Sequence, residues 1–299
     1  MSAAFEIIAD SSRREHWLEM RKAGLGASDS PAVLGVSPFQ SGLAVYADKI
    51  GVAEDKEETE AMKWGSLLEP LILAEFGAET GRTIYPAGKL LRSKSHPWML
   101  ATLDGEQETK GRPRGNVEAK ATGWRAGDWS EGIPWHVQIQ IQHQLFVTGR
   151  EWGSAVALLN GCRLVWDDVQ RDQKFIDEIL LPASEDFWRH VEAREPVEPD
   201  GSASAKQALK WMYPESEPGS FVNLDAEFVE LDDEFATLKL QTSENKKRLD
   251  LLQQRLEAAI GTNETAYLPN GVVYTFKSSS RKGYTVAPTS YRTLRRRAA

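Results

Sequence analysis

The chain has 299 residues, of which 41% are hydrophobic and 27% charged, a composition typical of a globular protein with one large core or a core plus an appendage. No run reaches the length of a membrane span, the N-terminus lacks a signal-peptide pattern, and the single cysteine excludes an internal disulfide, so we predict a cytoplasmic protein. The five histidines are scattered and form no zinc-binding pattern. The net charge of −8 argues against a uniformly basic nucleic-acid-binding protein, but not against a local basic channel.

The N-terminal region combines a helix, a glycine-containing turn and a second helix. Helical spacing predicts the first helix over 13–22, and Ser28 or Asp29 would cap a short helix over 31–34. Arg21 lies just before the turn, so its guanidinium and free backbone N–H groups could converge on a phosphate. The local sequence alone favours the other interpretation, a capped helix with a surface arginine.

Two more helices are predicted, over 43–50 and 62–80, and the second has a strong amphipathic pattern. Glu69 lies within it, where a solvated glutamate is the usual interpretation. Pro70 follows, and because proline prefers the first turn of a helix, a start near Glu69 is an alternative. Short strands are predicted next, over 85–91 and 99–103.

The most informative stretch runs from Ala101 to Lys120 and reads A-T-L-D-G-E-Q-E-T-K-G-R-P-R-G-N-V-E-A-K. An apolar segment ends at Asp104, a polar run follows, and 117–121 is again strand-like, which predicts a β-hairpin with a long loop. Alternation places Glu118 and Lys120 on the same face of the second strand. If the two strands pair, Asp104 lies beside Glu118.

Two adjacent carboxylates repel each other unless a cation lies between them, and hard oxygen ligands suit Mg²⁺. A lysine two residues further on would hold and polarise a water molecule. The alternative for an isolated E-x-K on a strand is a solvated face with little effect on stability.

The segment 134–149, with the sequence P-W-H-V-Q-I-Q-I-Q-H-Q-L-F-V-T-G, fits a strand and a helix about equally well. Strands over 151–159 and 162–170 follow, joined by an Asn-Gly turn. A helix over 171–191 is interrupted near Pro182.

A Pro-, Gly- and Ser-rich stretch over 195–219 predicts a boundary. Beyond it, leucines and phenylalanines with 4/3 spacing predict a long helix or a short coiled coil, and the alternation around Asn270-Gly271 predicts a hairpin. The tail from Lys277 has no acidic residue. Its basic side chains could contact phosphate: Lys277, Arg281, Lys282, Arg292, Arg295, Arg296 and Arg297.

Taken together, five motifs in this order resemble the YqaJ-like viral recombinase family, the relatives of phage lambda exonuclease within the PD-(D/E)XK nucleases. They are W-L-E-M-R-K-A-G-L-G-A-S-D, W-G-S-L-L-E-P, L-D-G, V-E-A-K and Q-I-Q-H-Q-L-F-V-T-G. The resemblance covers roughly Trp17 to Pro199 and implies that 134–148 is a helix. Leu103 stands where many members have the proline of "PD"; that proline is not a ligand.

The resemblance implies an α/β (α+β) PD-(D/E)XK core, a central mixed β-sheet flanked by helices. We therefore expect a nuclease domain over 1–199, a linker over 200–220, and a C-terminal extension over 221–299 with a long helix, a hairpin and a basic tail. The implied activity is metal-dependent 5′→3′ digestion of linear double-stranded DNA, which exposes a 3′ strand for phage-type recombination by strand annealing.

Residue by residue, Asp104 and Glu118 match the family's metal ligands, with the carbonyl of Ala119 as a third. Lys120 matches the lysine that orients the attacking water. The implied cofactor is Mg²⁺, with Mn²⁺ as a substitute, and the number of ions is left open.

The remaining carried-over positions surround this centre. Glu69 matches the helix glutamate at the metal site, and Gln140 matches the glutamine beside the catalytic lysine. Arg21 and Ser28 match positions that hold the terminal 5′-phosphate.

Two alternatives stay open: a RecB-like or flap endonuclease of the same fold, and a non-catalytic DNA-binding module. The expected partners are double-stranded DNA ends and a phage single-strand annealing protein, and the lambda relative implies a trimeric ring. The host of such a phage or prophage protein would be a bacterial cell.

Overall fold

The structure is a computed structural model that describes residues 4–10, 14–54, 59–123, 125–280 and 283. These residues fall into two units, the first ending at Pro214 and the second beginning at Glu215. Among the described residues, none of the helices is long and apolar enough to cross a membrane.

The described part of the first unit contains eight α-helices and nine strands. The helices are α1 (Arg14–Lys22), α2 (Ser30–Val33), α3 (Gly42–Lys49), α4 (Glu60–Thr80), α5 (Trp135–Thr148), α6 (Gln173–Phe175), α7 (Leu181–Ala193) and α8 (Ala203–Met212). The strands are β1 (Phe5–Asp10), β2 (Leu25–Gly26), β3 (Thr83–Pro86), β4 (Lys89–Ser93), β5 (Met99–Thr102), β6 (Gly105–Thr109), β7 (Arg112–Thr122), β8 (Trp152–Leu159) and β9 (Arg163–Gln170). A 3₁₀ turn, Ala126–Trp129, follows β7.

The central sheet has five strands in the order β3-β6-β7-β8-β9. Strands β7 and β8 are parallel, and the other neighbours are antiparallel. A parallel pair needs a crossover connection, and α5 is that connection. This confirms the predicted mixed sheet flanked by helices, and it confirms that 135–148 is helical although alternation along this segment also fitted a strand.

Helices α4 and α5 cover opposite faces of this sheet, because neighbouring residues of β7 and β8 point in opposite directions. Val117 and Val156 pack with the α4 residues Ile72, Leu73 and Phe76. On the other face, Ala155 packs with the α5 residues Val137, Ile141 and Leu145. The face of β7 opposite Val117 is therefore turned toward α5.

The predicted hairpin between 99–103 and 117–121 is wrong. β5 pairs with β4 and β2 in a second sheet of order β1-β4-β5-β2, and the partner of β7 is β6, which follows Asp104 directly. The polar run thus contains a strand, and the turn lies at Gly111, whose φ of +82° suits glycine. Strand β6 was not predicted because its buried residue Gln107 is polar, so the segment shows no apolar alternation. The Gln107 side chain donates hydrogen bonds to Asn116 O at 2.8 Å and Ser154 Oγ at 2.7 Å.

The single strand predicted over 85–91 is instead divided between the two sheets, β3 in one and β4 in the other. Gly88, with a φ of +74°, makes the break between them.

Helix α4 begins at Glu60, where the Thr59 hydroxyl accepts a hydrogen bond from Met62 N at 3.2 Å, so the alternative start near Glu69 is wrong and Pro70 lies inside the helix. The interruption predicted near Pro182 has a local cause. A π-helical turn, Ile176–Leu180, joins α6 to α7 just before Pro182, which has no N–H to continue the regular bonding pattern.

Residues 203–212 of the predicted linker form α8 rather than an open connection. The Ser202 hydroxyl caps this helix by accepting a hydrogen bond from Ala205 N at 3.1 Å, and Ala205 and Ala208 are buried in a cluster with Leu43 and Tyr46 of α3. The first unit accordingly extends to Pro214, while the functional division at residue 199 stays a prediction.

The second unit contains a long helix, α9 (Glu227–Ile260), and a hairpin of β10 (Thr265–Tyr267) with β11 (Val273–Thr275), which confirms both predicted elements. The predicted basic tail lies almost entirely outside the described residues, which beyond 280 include only Gly283.

Candidate active site

Glu118 is the centre of the predicted site. It lies on β7 with 2% of its surface exposed, on the face turned toward α5. Lys120 Nζ donates to Glu118 Oε1 at 2.5 Å, and Gln140 Nε2 donates to the same oxygen at 2.6 Å. Gln144 Nε2 donates to Oε2 at 2.6 Å. A buried carboxylate is costly without partners, and here three donors converge on it.

Asp104 reaches the same place from the end of β5. Gly105 pairs with Val117 in the antiparallel β6–β7 ladder, so the residue before it, Asp104, comes level with Glu118. Its Oδ2 accepts a hydrogen bond from Ala119 N at 2.8 Å. The structure therefore brings Asp104, Glu118 and Lys120 together, although through a different hairpin from the predicted one.

The charges at this site are unbalanced. Burial, then the negative charge of Glu118 and that of Glu69, raise the pKa of Asp104 well above its usual range. Burial and Glu118 likewise raise the pKa of Glu69 on α4. Burial alone would lower the pKa of Lys120, but the charges of Glu118 and Asp104 outweigh it and raise that pKa. Three carboxylates thus face one ammonium group.

This donor set fits a hard divalent cation. Carboxylate and carbonyl oxygens are its preferred ligands, and Mg²⁺ is commonly held by one or two carboxylates while keeping several waters. Within the described ranges, no three His, Cys, Asp or Glu side chains form a ready metal cluster. The groups that could bind a cation here are the two carboxylates, Asp104 and Glu118, and the Ala119 carbonyl, as the resemblance implied. Burial is the main cause of the raised pKa values of Asp104 and Glu69, and the negative charge of Glu118 is the second, which a bound cation would offset.

Lys120 and Gln140 are joined directly, because Lys120 Nζ also donates to Gln140 Oε1 at 3.2 Å. Sequence reasoning did not select Gln144, which lies one helical turn further along α5. The signal was present in the spacing: Gln140 and Gln144 are four residues apart and so lie on one face of the helix. Gln144 is fully buried, and its Oε1 has no hydrogen-bond partner among the described residues.

A second cluster surrounds Arg21. Its Nη2 donates to Ser28 Oγ at 2.9 Å, so the two predicted phosphate-binding residues are in contact. Asp29 does not cap α2 with its side chain; instead its Oδ2 accepts a hydrogen bond from Gly26 N at 3.0 Å. That N–H is therefore engaged within the turn rather than available to a ligand.

Lys49 is the residue of this cluster that sequence reasoning missed. Its side chain is 1% exposed, and Nζ lies 2.8 Å from Asp29 Oδ2, while Arg21 Nη2 lies 3.8 Å from Asp29 Oδ1. Burial by itself raises the pKa of Asp29, but the charges of Lys49 and Arg21 outweigh it and lower that pKa to about 2. Lys49 Nζ also lies 3.9 Å from Asp48 Oδ2, so two cations and two carboxylates meet here. The guanidinium of Arg21 is the partly exposed cation of the cluster.

His143 connects the elements of the two clusters. Its Nε2 lies 3.0 Å from Leu100 O, and its Nδ1 lies 2.6 Å from Ser30 Oγ. Because a carbonyl oxygen can only accept, the neutral ring carries its proton on Nε2 and accepts the Ser30 hydroxyl proton at Nδ1. Burial lowers the pKa of His143 to about 4, against the opposing effect of the Leu100 carbonyl. α5, which carries Gln140 and Gln144, is thus fixed to α2.

Comparison with solved structures finds a similar fold in a known exonuclease. The alkaline exonuclease LHK-Exo from Laribacter hongkongensis superposes with a TM-score of 0.51 at 22% identity, covering 60% of this chain and 94% of that one. Its complex with dAMP gives a TM-score of 0.51 at 21% identity, with the same coverage. The chain has the PD-(D/E)XK-like fold of these enzymes.

Two comparisons of the sequence point to the same group of proteins. Residues 16–151 match the family model described as the YqaJ-like viral recombinase domain. The chain is also 29% identical over 277 residues to the protein YqaJ of Bacillus subtilis (strain 168), covering 89% of this chain and 84% of that protein. The chain is homologous to YqaJ, and its match to this domain model confirms the resemblance found in the motifs.

The buried, neutral His143 predicts an acid-sensitive fold. Its folded pKa of about 4 lies below the ordinary value of 6.5, so its contribution to stability is complete above about pH 6.5 and is lost as the pH falls toward 4. Between pH 7 and 4.5 the free energy of unfolding should fall by about 2 to 3 kcal/mol from this group alone.

Urea unfolding of the wild type, His143→Gln and the exposed control His16→Gln at both pH values measures this contribution. His143→Gln should lose less stability on acidification than the other two proteins. An equal loss in all three would show that His143 is not the group responsible.

Proposed function

We propose that this protein is a divalent-metal-dependent nuclease that digests linear double-stranded DNA from its 5′ ends and leaves a 3′ single strand for recombination by strand annealing. The observation that carries the proposal is the convergence of Asp104, Glu118 and Glu69 on one lysine, with negative charge in excess. The recombinase domain and the exonuclease fold support the coarser assignment to nucleases.

In this proposal Asp104, Glu118 and the Ala119 carbonyl hold the cation. When bound, a cation at this position would supply Lewis-acid polarisation of the scissile phosphate. The protein's own contribution is to fix its ligands. The Ala119 N–H orients Asp104, and Gln140 and Gln144 orient Glu118 from α5. Glu69 adds a third negative charge from α4.

Lys120 acts as a cation and a hydrogen-bond donor. Because its pKa is raised, the ammonium form prevails at neutral pH and cannot accept a proton from water. It would instead hold the attacking water and stabilise negative charge as it develops on the phosphate oxygens. Gln140 keeps the ammonium group in place, because its Oε1 accepts a hydrogen bond from Lys120 Nζ.

The polarity of digestion is inferred from Arg21. An exonuclease that starts at a 5′ end must hold the terminal phosphate while a later phosphodiester lies at the carboxylates. Unpaired carboxylates repel phosphate, whereas a guanidinium offers paired donors matched to its oxygens. The guanidinium of Arg21 is partly exposed and contacts Ser28, and Lys49 pairs with the neighbouring Asp29, which supports such a role. An annealing partner and a ring-shaped assembly stay predictions.

Removal of the Asp104 charge should abolish most of the activity. Asp104→Asn keeps the shape of the side chain but removes a ligand charge, and we expect a loss of at least about a hundredfold in the rate of cleavage. Duplex binding should survive. The measurement is digestion of end-labelled linear duplex in Mg²⁺ and in Mn²⁺, beside covalently closed circles.

The control is Glu178→Gln, which removes an exposed carboxylate on the turn before α7. Near-wild-type activity of Asp104→Asn in Mg²⁺ would refute the assignment of the site. Cleavage of closed circles as fast as linear DNA would favour an endonuclease of the same fold.

Duplex with a 5′-phosphate should be degraded faster than duplex with a 5′-hydroxyl, because a terminal phosphate carries close to two negative charges. Arg21→Ala should remove most of this preference. Time courses on the two substrates, with Lys206→Ala as a control for the loss of one exposed positive charge, measure the effect. If the wild type degrades both ends at the same rate, Arg21 does not hold a terminal phosphate.

A further inference from the structure

Phe39 presents a large aromatic ring to solvent from a structured turn. The residue is 66% exposed and lies in the connection between α2 and α3. Ser37 Oγ accepts hydrogen bonds from Phe39 N at 3.2 Å and Gln40 N at 3.3 Å, and the Ser41 hydroxyl caps α3 immediately afterwards. The backbone that carries the ring is therefore fixed on both sides.

The ring lies beside the candidate active site. The centroids of Phe39 and His136 are 5.7 Å apart with the planes at 79°, an edge-to-face contact. His136 precedes Gln140 by four residues on α5, so both lie on one face of the helix, and Gln140 is bonded to Lys120. After burial, the positive charge of Lys120 is the next cause that lowers the pKa of His136, which agrees with this proximity.

A cation accompanies the ring. Arg125 Cζ lies 5.4 Å from the centre of the Phe39 ring, and Arg125 also forms an ion pair with Asp128 at 2.6 Å. Arg125 follows the end of β7, the strand of Glu118 and Lys120. Three separate elements, the α2–α3 turn, the start of α5 and the segment after β7, thus meet at one place.

We propose that Phe39, flanked by His136 and Arg125, is a stacking site for an unpaired nucleobase of the DNA strand that enters the active site. Single exposed phenylalanines are common on protein surfaces. This one differs because its turn is fixed, a guanidinium lies beside it, and its neighbour His136 is one helical turn from Gln140, which is hydrogen-bonded to Lys120. A base inside a duplex is already stacked on both sides, so the ligand must be unstacked.

The chemistry of such a site is sequence-independent. Every nucleobase has a π face that can stack on an aromatic ring, and an arginine beside the ring can attract the backbone phosphate. The site would hold the strand near Lys120 without selecting a base. This inference rests on the proposed function, since it assumes that DNA is the substrate.

The test is a thermodynamic cycle between the ring and the base. The probe is a labelled duplex whose 5′ strand has three unpaired terminal nucleotides, compared with the same duplex in which those three are abasic. Affinities are measured with Ca²⁺ as the divalent ion. For the wild type, removal of the bases should weaken binding roughly tenfold. Phe39→Ala should bind the intact probe about as weakly as the wild type binds the abasic probe. Its affinity should not fall further when the bases are removed.

Phe39→Trp should restore the difference between the probes, and Val36→Ala, an exposed apolar residue of the same connection, should behave as the wild type. An equal loss on base removal in the wild type and Phe39→Ala would overturn the stacking site, as would failure of the wild type to distinguish the probes. Cleavage is assayed separately in Mg²⁺: a wild type that binds but never cleaves contradicts the nuclease proposal, while the binding cycle still decides the role of Phe39.

Discussion

The packing around the candidate active site depends on the free-energy cost of burying the ionised side chain of Glu118 beside other carboxylates. An ionised carboxylate loses its hydration on burial, and a neighbouring negative charge makes the loss worse. Lys120, Gln140 and Gln144 offset part of this cost with three hydrogen bonds. Their positions require β7 and α5 to lie together in one register. A shift of β7 by one residue would turn Glu118 toward the apolar face of α4.

The crossover between β7 and β8 is therefore both a packing element and part of the site. One side of α5 supplies apolar side chains to the sheet, and another supplies the amides that hold Glu118. His143 extends this arrangement through Ser30 to α2, close to the turn that follows Arg21. The candidate catalytic and phosphate-binding clusters are consequently built on elements that are fixed to each other rather than on separate loops.

Much of the site could be predicted from local pattern. Strand alternation alone placed Glu118 and Lys120 on one face, and the helical spacing of the glutamines was visible in the sequence. The pairing of strands could not be predicted, because β6 carries the buried polar Gln107 and shows no apolar alternation. Lys49 was missed for another reason. It lies twenty positions after Asp29 in the sequence, and only tertiary packing reveals their contact.

The central claim, that these carboxylates form a site for a divalent cation, can be tested without DNA. Calorimetric titration of Mn²⁺ into the wild type should show saturable binding, and Glu118→Gln, checked for folding by circular dichroism, should lose it, while Glu178→Gln should retain it. Binding of Mn²⁺ to folded Glu118→Gln with wild-type affinity, or no saturable binding by the wild type, would contradict the account.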